Sequence, residues 1–158
     1  MSAQIRNLDD LDRLAAAGAA TLYPDRLKIL VGSATCGVAM GAREVEDAAR
    51  RAVDDLGLDA VVARTGCIGF CGREPLLDLV LPSGPRVSYG NMTADSAREL
   101  LTAYAADGDT KPELALGRFE KEDHVSTGEV HEYAPPTNGL SAVPVWQELD
   151  FYRHQQKV

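Results

Sequence analysis

Residues 42–56, AREVEDAARRAVDDL, constrain this chain more than any other stretch. Val45, Ala48, Ala49, Ala52, Val53 and Leu56 recur at i, i+3, i+4, i+7, i+8 and i+11. They make one apolar stripe down a helix, with the charges opposite, and Gly57 stops it. A short apolar run flanks the helix on each side, RLKILV at 26–31 and DAVVAR at 59–64. Both runs read as strands, the first of them buried. In such a strand–helix–strand unit the strands are parallel, and their C-terminal ends point the same way.

The rest of the pattern is LLDLVL at 76–81 and PRVSY at 85–89, two strands of a hairpin around Pro82-Ser83-Gly84. Thr93 caps a last helix at 94–106, with Ala97, Leu100, Leu101 and Tyr104 on one face. At the front, Leu8, Leu11 and Leu14 mark a helix over 8–20 capped by Asn7 and ended at Tyr23-Pro24. The fold class is therefore α/β: a thioredoxin-like mixed sheet, βαβ then ββα, with helices expected on both faces and one helix in front. The chain divides into an N-terminal helix at 1–25, the thioredoxin-like domain at 26–108, and an arm at 109–158. Pro112, Pro135, Pro136 and Pro144 punctuate the arm, which has little periodicity. It reads either as a solvated tail or as an extended arm that orders on a partner, with Trp146, Phe151 and Tyr152 as apolar anchors.

With 16 Lys and Arg against 24 Asp and Glu, the net charge of -8 argues against nucleic acid and anionic membrane as partners. No run of 18 apolar residues exists, so no membrane span is expected. The acidic N-terminus lacks the apolar segment of a secretory signal, so a cytoplasmic setting is expected. A disulfide framework is not expected from three cysteines, Cys36, Cys67 and Cys71.

These cysteines carry the chemistry. Cys67 and Cys71 sit in TGCIGFCGREP at 65–75, a glycine-rich loop after the second strand, and Cys36 sits in a small-residue loop after the first. Parallel neighbouring strands bring those two loops side by side, so Cys36 can approach the pair. Three chemistries suit such a group. In an iron–sulfur cluster, thiolates would hold iron while backbone amides around Gly66, Gly69 and Gly72 donate to the sulfurs. Zinc would want further ligands, and His124, His131 and His154 all lie in the arm. Thiol–disulfide exchange wants Cys-x-x-Cys at a helix N-terminus, whereas here three residues separate the thiols. Taken singly, a cysteine is more often a small buried hydrophobe. Arg73 and Glu74, beside Cys71, read as exposed loop charge.

The 65–75 segment resembles the second half of the ligand motif in thioredoxin-like [2Fe–2S] ferredoxins, a family that includes the small iron–sulfur subunit of respiratory complex I. VGSATCGVAMGA at 31–42 resembles the first half, and YGNMT at 89–93 resembles the stretch before the last helix. A closer resemblance is to the thioredoxin-like domain at the N-terminus of NADH-binding flavoprotein subunits in NAD-linked hydrogenases and formate dehydrogenases. VPVWQELDFYRHQQKV at 143–158 resembles the linker toward their flavin domain. The resemblance implies an electron-transfer module without catalysis of its own. Its cofactor would be a [2Fe–2S] cluster held by Cys36, Cys67 and Cys71. Its partners would be a flavin- and NADH-binding subunit and other iron–sulfur subunits. The family's four-cysteine pattern has three counterparts here, and the missing one falls near Gly32 or Gly41. Ser33, Thr35, solvent or a partner subunit would complete the set. A domain that has lost its cluster and docks subunits as a scaffold is the alternative.

Overall fold

The computed structural model describes residues 5–123 and 128–154. His124, one of the three arm histidines, lies outside the described residues. Helix α1, Leu8–Leu22, starts where Asn7 accepts a hydrogen bond from the Asp10 amide. The striped helix is α3, Ala42–Leu56, and Gly57 closes it in the left-handed conformation at φ +63°. Strands β1, Leu27–Gly32, and β2, Ala60–Thr65, flank it and pair in parallel, Leu27 opposite Ala60 and Gly32 opposite Thr65. Between β1 and α3 the chain forms a short helix, α2, Thr35–Ala39, where sequence had suggested only a loop.

Strands β3, Leu77–Val80, and β4, Arg86–Tyr89, form the expected antiparallel hairpin. Helix α4, Ala94–Asp107, follows behind a Thr93–Ser96 capping box. Strand β3 pairs antiparallel with β1, so the sheet is mixed. Its order is β2-β1-β3-β4-β5, and the fifth strand, β5, is Ala115–Phe119 from the proline-punctuated arm. Strands β6, Lys121–Asp123, and β7, Val130–Glu132, make a separate ribbon, and a one-turn helix, α5, Asp150–Arg153, comes last. No helix among the described residues is long and apolar enough to cross a membrane.

The core lies between the sheet and the α3–α4 pair. Ile29, Val31, Leu77, Leu79, Val87 and Tyr89 point from alternate strand positions toward Val45, Ala49, Ala52, Leu100 and Leu101. Small alanines on α3 let it lie close against both the sheet and α4. Because α3 and α4 pack on each other, they share one face, which corrects the expectation of helices on both. The other face is mixed, with Leu30 and Val80 beside Lys28, Asp78, Arg86 and Ser88. There Arg86 pairs with Asp78 at 2.5 Å and with Glu122 of β6 at 2.8 Å, and the Tyr133 hydroxyl donates to Glu122 at 2.6 Å. The acidic ribbon thus satisfies a guanidinium that the sheet buries.

Two further contacts fix the parts that bear on the cysteines. Glu46 of α3 is 4% exposed and accepts from Arg64 Nε on β2 at 2.7 Å and from Arg50 Nη2 at 2.9 Å. These guanidiniums, Arg64 first, hold its carboxyl below the usual range. The end of β2, which launches the second cysteine turn, is thereby tied to α3. In the arm, Leu140, Val143 and Trp146 are buried, and the Arg118 amide of β5 donates to the Pro144 carbonyl at 2.9 Å. Instead of extending away, this stretch folds back along the new edge strand.

Candidate functional site

The parallel register of β1 and β2 places the two cysteine turns at one end of the sheet. Beyond the last pair, Gly32 and Thr65, the Ser33 amide donates to the Thr65 carbonyl at 3.0 Å, so the turns stay in contact as they leave the strands. Cys36 sits in the first turn of α2 and is half-buried, while Cys67 and Cys71 are exposed. The Sγ atoms of Cys67 and Cys71 are 4.0 Å apart. Cys36 lies close enough to the Cys71 thiol to help push it up. The two turns that carry the three cysteines therefore lie side by side, with Cys67 and Cys71 paired in the second.

Of the three glycines expected to offer amides, Gly69 does so directly: its amide donates to Cys67 Sγ at 3.2 Å. Its φ of +86° explains why glycine stands there, since a side chain would be strained in the left-handed region. Gly66 and Gly72 flank the cysteines with open space where a Cβ would be.

The second turn is held from outside by the arm. Phe70 stacks on Phe151 with centroids 4.7 Å apart and meets Trp146 edge-on at 5.8 Å. The Tyr152 hydroxyl donates to the Ile68 carbonyl at 2.7 Å. From below, the Arg73 carbonyl accepts from the Asn91 amide at 2.7 Å, and the Met92 amide donates to the Pro75 carbonyl at 3.0 Å. That contact gives the YGNMT stretch its place: it buttresses the cysteine turn.

Glu74 corrects the exposed-charge reading, because it is 2% exposed, whereas Arg73 is exposed as expected. Its Oε2 accepts from the Leu76 amide at 2.8 Å, and its Oε1 has no hydrogen-bond partner among the described residues. Desolvation pushes its carboxyl above the usual range. Gly37 is the other residue that sequence reading passed over. A Cβ there would stand 2.2 Å from the Gly32 carbonyl oxygen, so α2 can lie against the end of β1 only with glycine at that position. One signal for Gly37 was legible, its place beside Cys36 between short side chains; nothing local marked Glu74 as buried.

The chemistry of the group can be narrowed. Thiol–disulfide exchange needs a thiol whose pKa is lowered. The Cys71 thiol is instead pushed up, first by Cys36, against an opposing bond from Cys67, and it sits in a 3₁₀ turn. Zinc through the arm histidines finds no support in the geometry: His131 packs between Tyr23 and Tyr133, at 5.7 Å and 4.8 Å. Among the described residues no three His, Cys, Asp or Glu side chains close around a point tightly enough for a single ion. A two-iron cluster divides its donors between two metals and spreads them more widely than one ion does. Three thiols on two neighbouring turns and a sulfur-directed amide are the donors such a group would use.

Comparison with known proteins agrees with the geometry. No family model matches the chain. It is 33% identical over 112 residues to the NADP-reducing hydrogenase subunit HndB of Solidesulfovibrio fructosivorans, covering 70% of this chain and 84% of that one. It is 36% identical over 62 residues to a 2Fe-2S ferredoxin of Clostridium pasteurianum, covering 39% of this chain and 58% of the ferredoxin. Among solved structures, a cysteine-to-serine variant of the thioredoxin-like [2Fe-2S] ferredoxin of Aquifex aeolicus aligns with a TM-score of 0.50 at 20% identity. That alignment covers 58% of this chain and 98% of the ferredoxin, and it speaks to the fold alone.

Proposed function

The chain belongs to the thioredoxin-like [2Fe–2S] ferredoxin family, with the hydrogenase subunit HndB among its relatives, and from that premise we propose that it is an electron-transfer iron–sulfur module of an NAD(P)-linked redox complex. The observation that supports this reading is the placement of Cys36 on one turn and of Cys67 and Cys71, 4.0 Å apart, on its hydrogen-bonded neighbour at the same end of the sheet. A [2Fe–2S] cluster would supply one-electron redox chemistry at that mouth. The protein's own residues do the rest. Cys36, Cys67 and Cys71 hold the metal. The Gly69 amide donates to Cys67 Sγ, and hydrogen bonds to sulfur are one of the ways a protein sets such a potential. The exposure of Cys67 and Cys71 leaves a short path to a partner's cofactor, while half-buried Cys36 anchors the inner side.

The partners would be a flavin- and NADH-binding subunit and other iron–sulfur subunits. The net charge of -8 suits docking on a basic face, with association weakening as salt rises. A cytoplasmic setting suits three cysteines that are all unbridged. The scaffold alternative would dock subunits through the arm from residue 109 onward. Trp146, Phe151 and Tyr152 are already engaged around Phe70, which leaves that reading with less to stand on.

The test is anaerobic purification of the full chain with iron and sulfide analysis, visible absorption, and EPR after reduction. The expected result is a coloured protein with about two irons and two sulfides per chain and an EPR signal in the reduced state. A colourless chain that takes up no iron on reconstitution overturns the reading.

A further inference from the structure

Helix α1 contributes nothing to the core. It buries no residue, and it takes part in none of the closer contacts between elements. Yet Leu8 is 77% exposed, Leu11 48%, Leu14 41% and Leu22 40%, and no other described element exposes as many large apolar side chains. At 15 residues, α1 is near the length below which a helix on its own is marginal in water. Its ends are provided for, by the Asn7 cap and by the Lys28 ammonium, which donates to the Leu22 carbonyl at 2.7 Å. Its apolar side is left without a cover.

The pattern of that side selects what fits it. Leu8, Leu11, Ala15, Gly18 and Leu22 are spaced alternately three and four apart, as along the seam of a two-helix coil. The first half of the stripe is large and the second half small. When two α1 helices run antiparallel and cross near residue 13, Leu8 falls opposite Gly18 and Leu11 opposite Ala15, each pairing made twice. Every such layer then matches a leucine with a small residue, and the seam has even width. A parallel pair would set Leu8 on Leu8 and Gly18 on Gly18, crowded at one end and empty at the other. A Cβ on Gly18 meets nothing within 4 Å, so the space beside it is open to a side chain of another chain.

Charge selects the same arrangement. Asp9, Asp10 and Asp12 all lie in the first half, and residues 14–22 carry no charge. Antiparallel pairing sets each acidic half against an uncharged one, whereas parallel pairing would bring two sets of aspartates together. The helix dipoles also oppose each other favourably.

We propose that α1 is covered by a second copy of this chain, the two α1 helices pairing antiparallel with Leu8 over Gly18 and Leu11 over Ala15. The contact is about 22 Å long, which is small for a permanent interface, so the dimer forms reversibly. It uses none of the cysteine-turn residues and stands apart from the electron-transfer reading.

The test is sedimentation equilibrium of the full chain across a range of concentrations and salt. The expected result is a monomer–dimer equilibrium that tightens as salt rises, because each copy carries a net charge of -8. Leu11→Asp is expected to leave only monomer. Ala15→Leu adds apolar surface at an exposed position, yet it is expected to weaken the dimer at least about tenfold, since the added side chain meets Leu11 in two layers. Combining Ala15→Leu with Leu11→Ala exchanges large for small in both layers and is expected to restore association. Urea unfolding followed by Trp146 fluorescence checks that the body of each variant is folded. A chain that stays monomeric at every concentration overturns the proposal. So does a dimer that a folded Leu11→Asp variant leaves intact, which then pairs through another surface. Association strengthened by Ala15→Leu overturns the antiparallel register, because parallel or unspecific pairing gains from a larger apolar face.

Discussion

The two cysteine turns leave the same end of the sheet but are built in opposite ways. The first is closed. Gly32 and Gly37 touch backbone to backbone, Glu74 is wedged against both, and Cys36 is half-buried in a short helix. The second is open. Cys67 and Cys71 are exposed, a Cβ at Gly66, Gly69 or Gly72 would meet nothing, and the turn is braced by aromatic rings from the arm. A redox site needs both properties. A packed inner side keeps the donors in place, and an accessible outer side lets a partner come close.

Three substitutions would break or sharpen this contrast. The largest effect is expected from Trp146→Ala, because the ring is 4% exposed and packs on Phe119 and Phe70. Truncating a buried Trp costs about 3–5 kcal/mol. Urea unfolding should show that loss, and hydrogen exchange at the Gly69 amide should quicken. If exchange through 65–75 is unchanged, the arm does not brace the open turn. Next is Gly37→Ala, whose Cβ would stand 2.2 Å from the Gly32 carbonyl oxygen. Overpacking of this kind costs about 2–3 kcal/mol. The accompanying readout is Cys36, which should react faster with a maleimide as α2 is pushed off β1. Parental stability in this variant would mean that the first turn is not closed at all. The smallest effect belongs to Gly66→Ala, which meets nothing within 4 Å. Its stability should stay within about 0.5 kcal/mol of the parent. A larger loss would show that the second turn is packed as tightly as the first.

Legibility followed the range of the interactions. Helix α3 was readable to the residue, because its stripe and its glycine stop are written within fifteen positions. The caps at Asn7 and Thr93 were equally plain, each being a contact across three residues. Helix α1 marks the limit of such signals: it has a side-chain cap and a leucine repeat, yet buries no residue. Strand β5 was missed because it is five residues long, carries a glycine at 117, and gains its place only by pairing with β4. At the site, the three cysteines and the sulfur-directed Gly69 amide were legible, and Glu74 was misjudged. A charged residue in a glycine-rich loop ordinarily faces water. Here the loop turns it inward beneath α2.

By itself the sequence determined which segments become helix or strand and which side chains can bind a metal. Those properties depend on residue type and on spacing within a few turns of chain. Tertiary structure alone decided that the two cysteine turns lie side by side, that the arm supplies the edge strand, and that the Glu74 carboxylate is wedged against Gly32 and Gly37. Each of these joins positions far apart along the chain, and only the pairing of strands and the burial of their faces sets such distances.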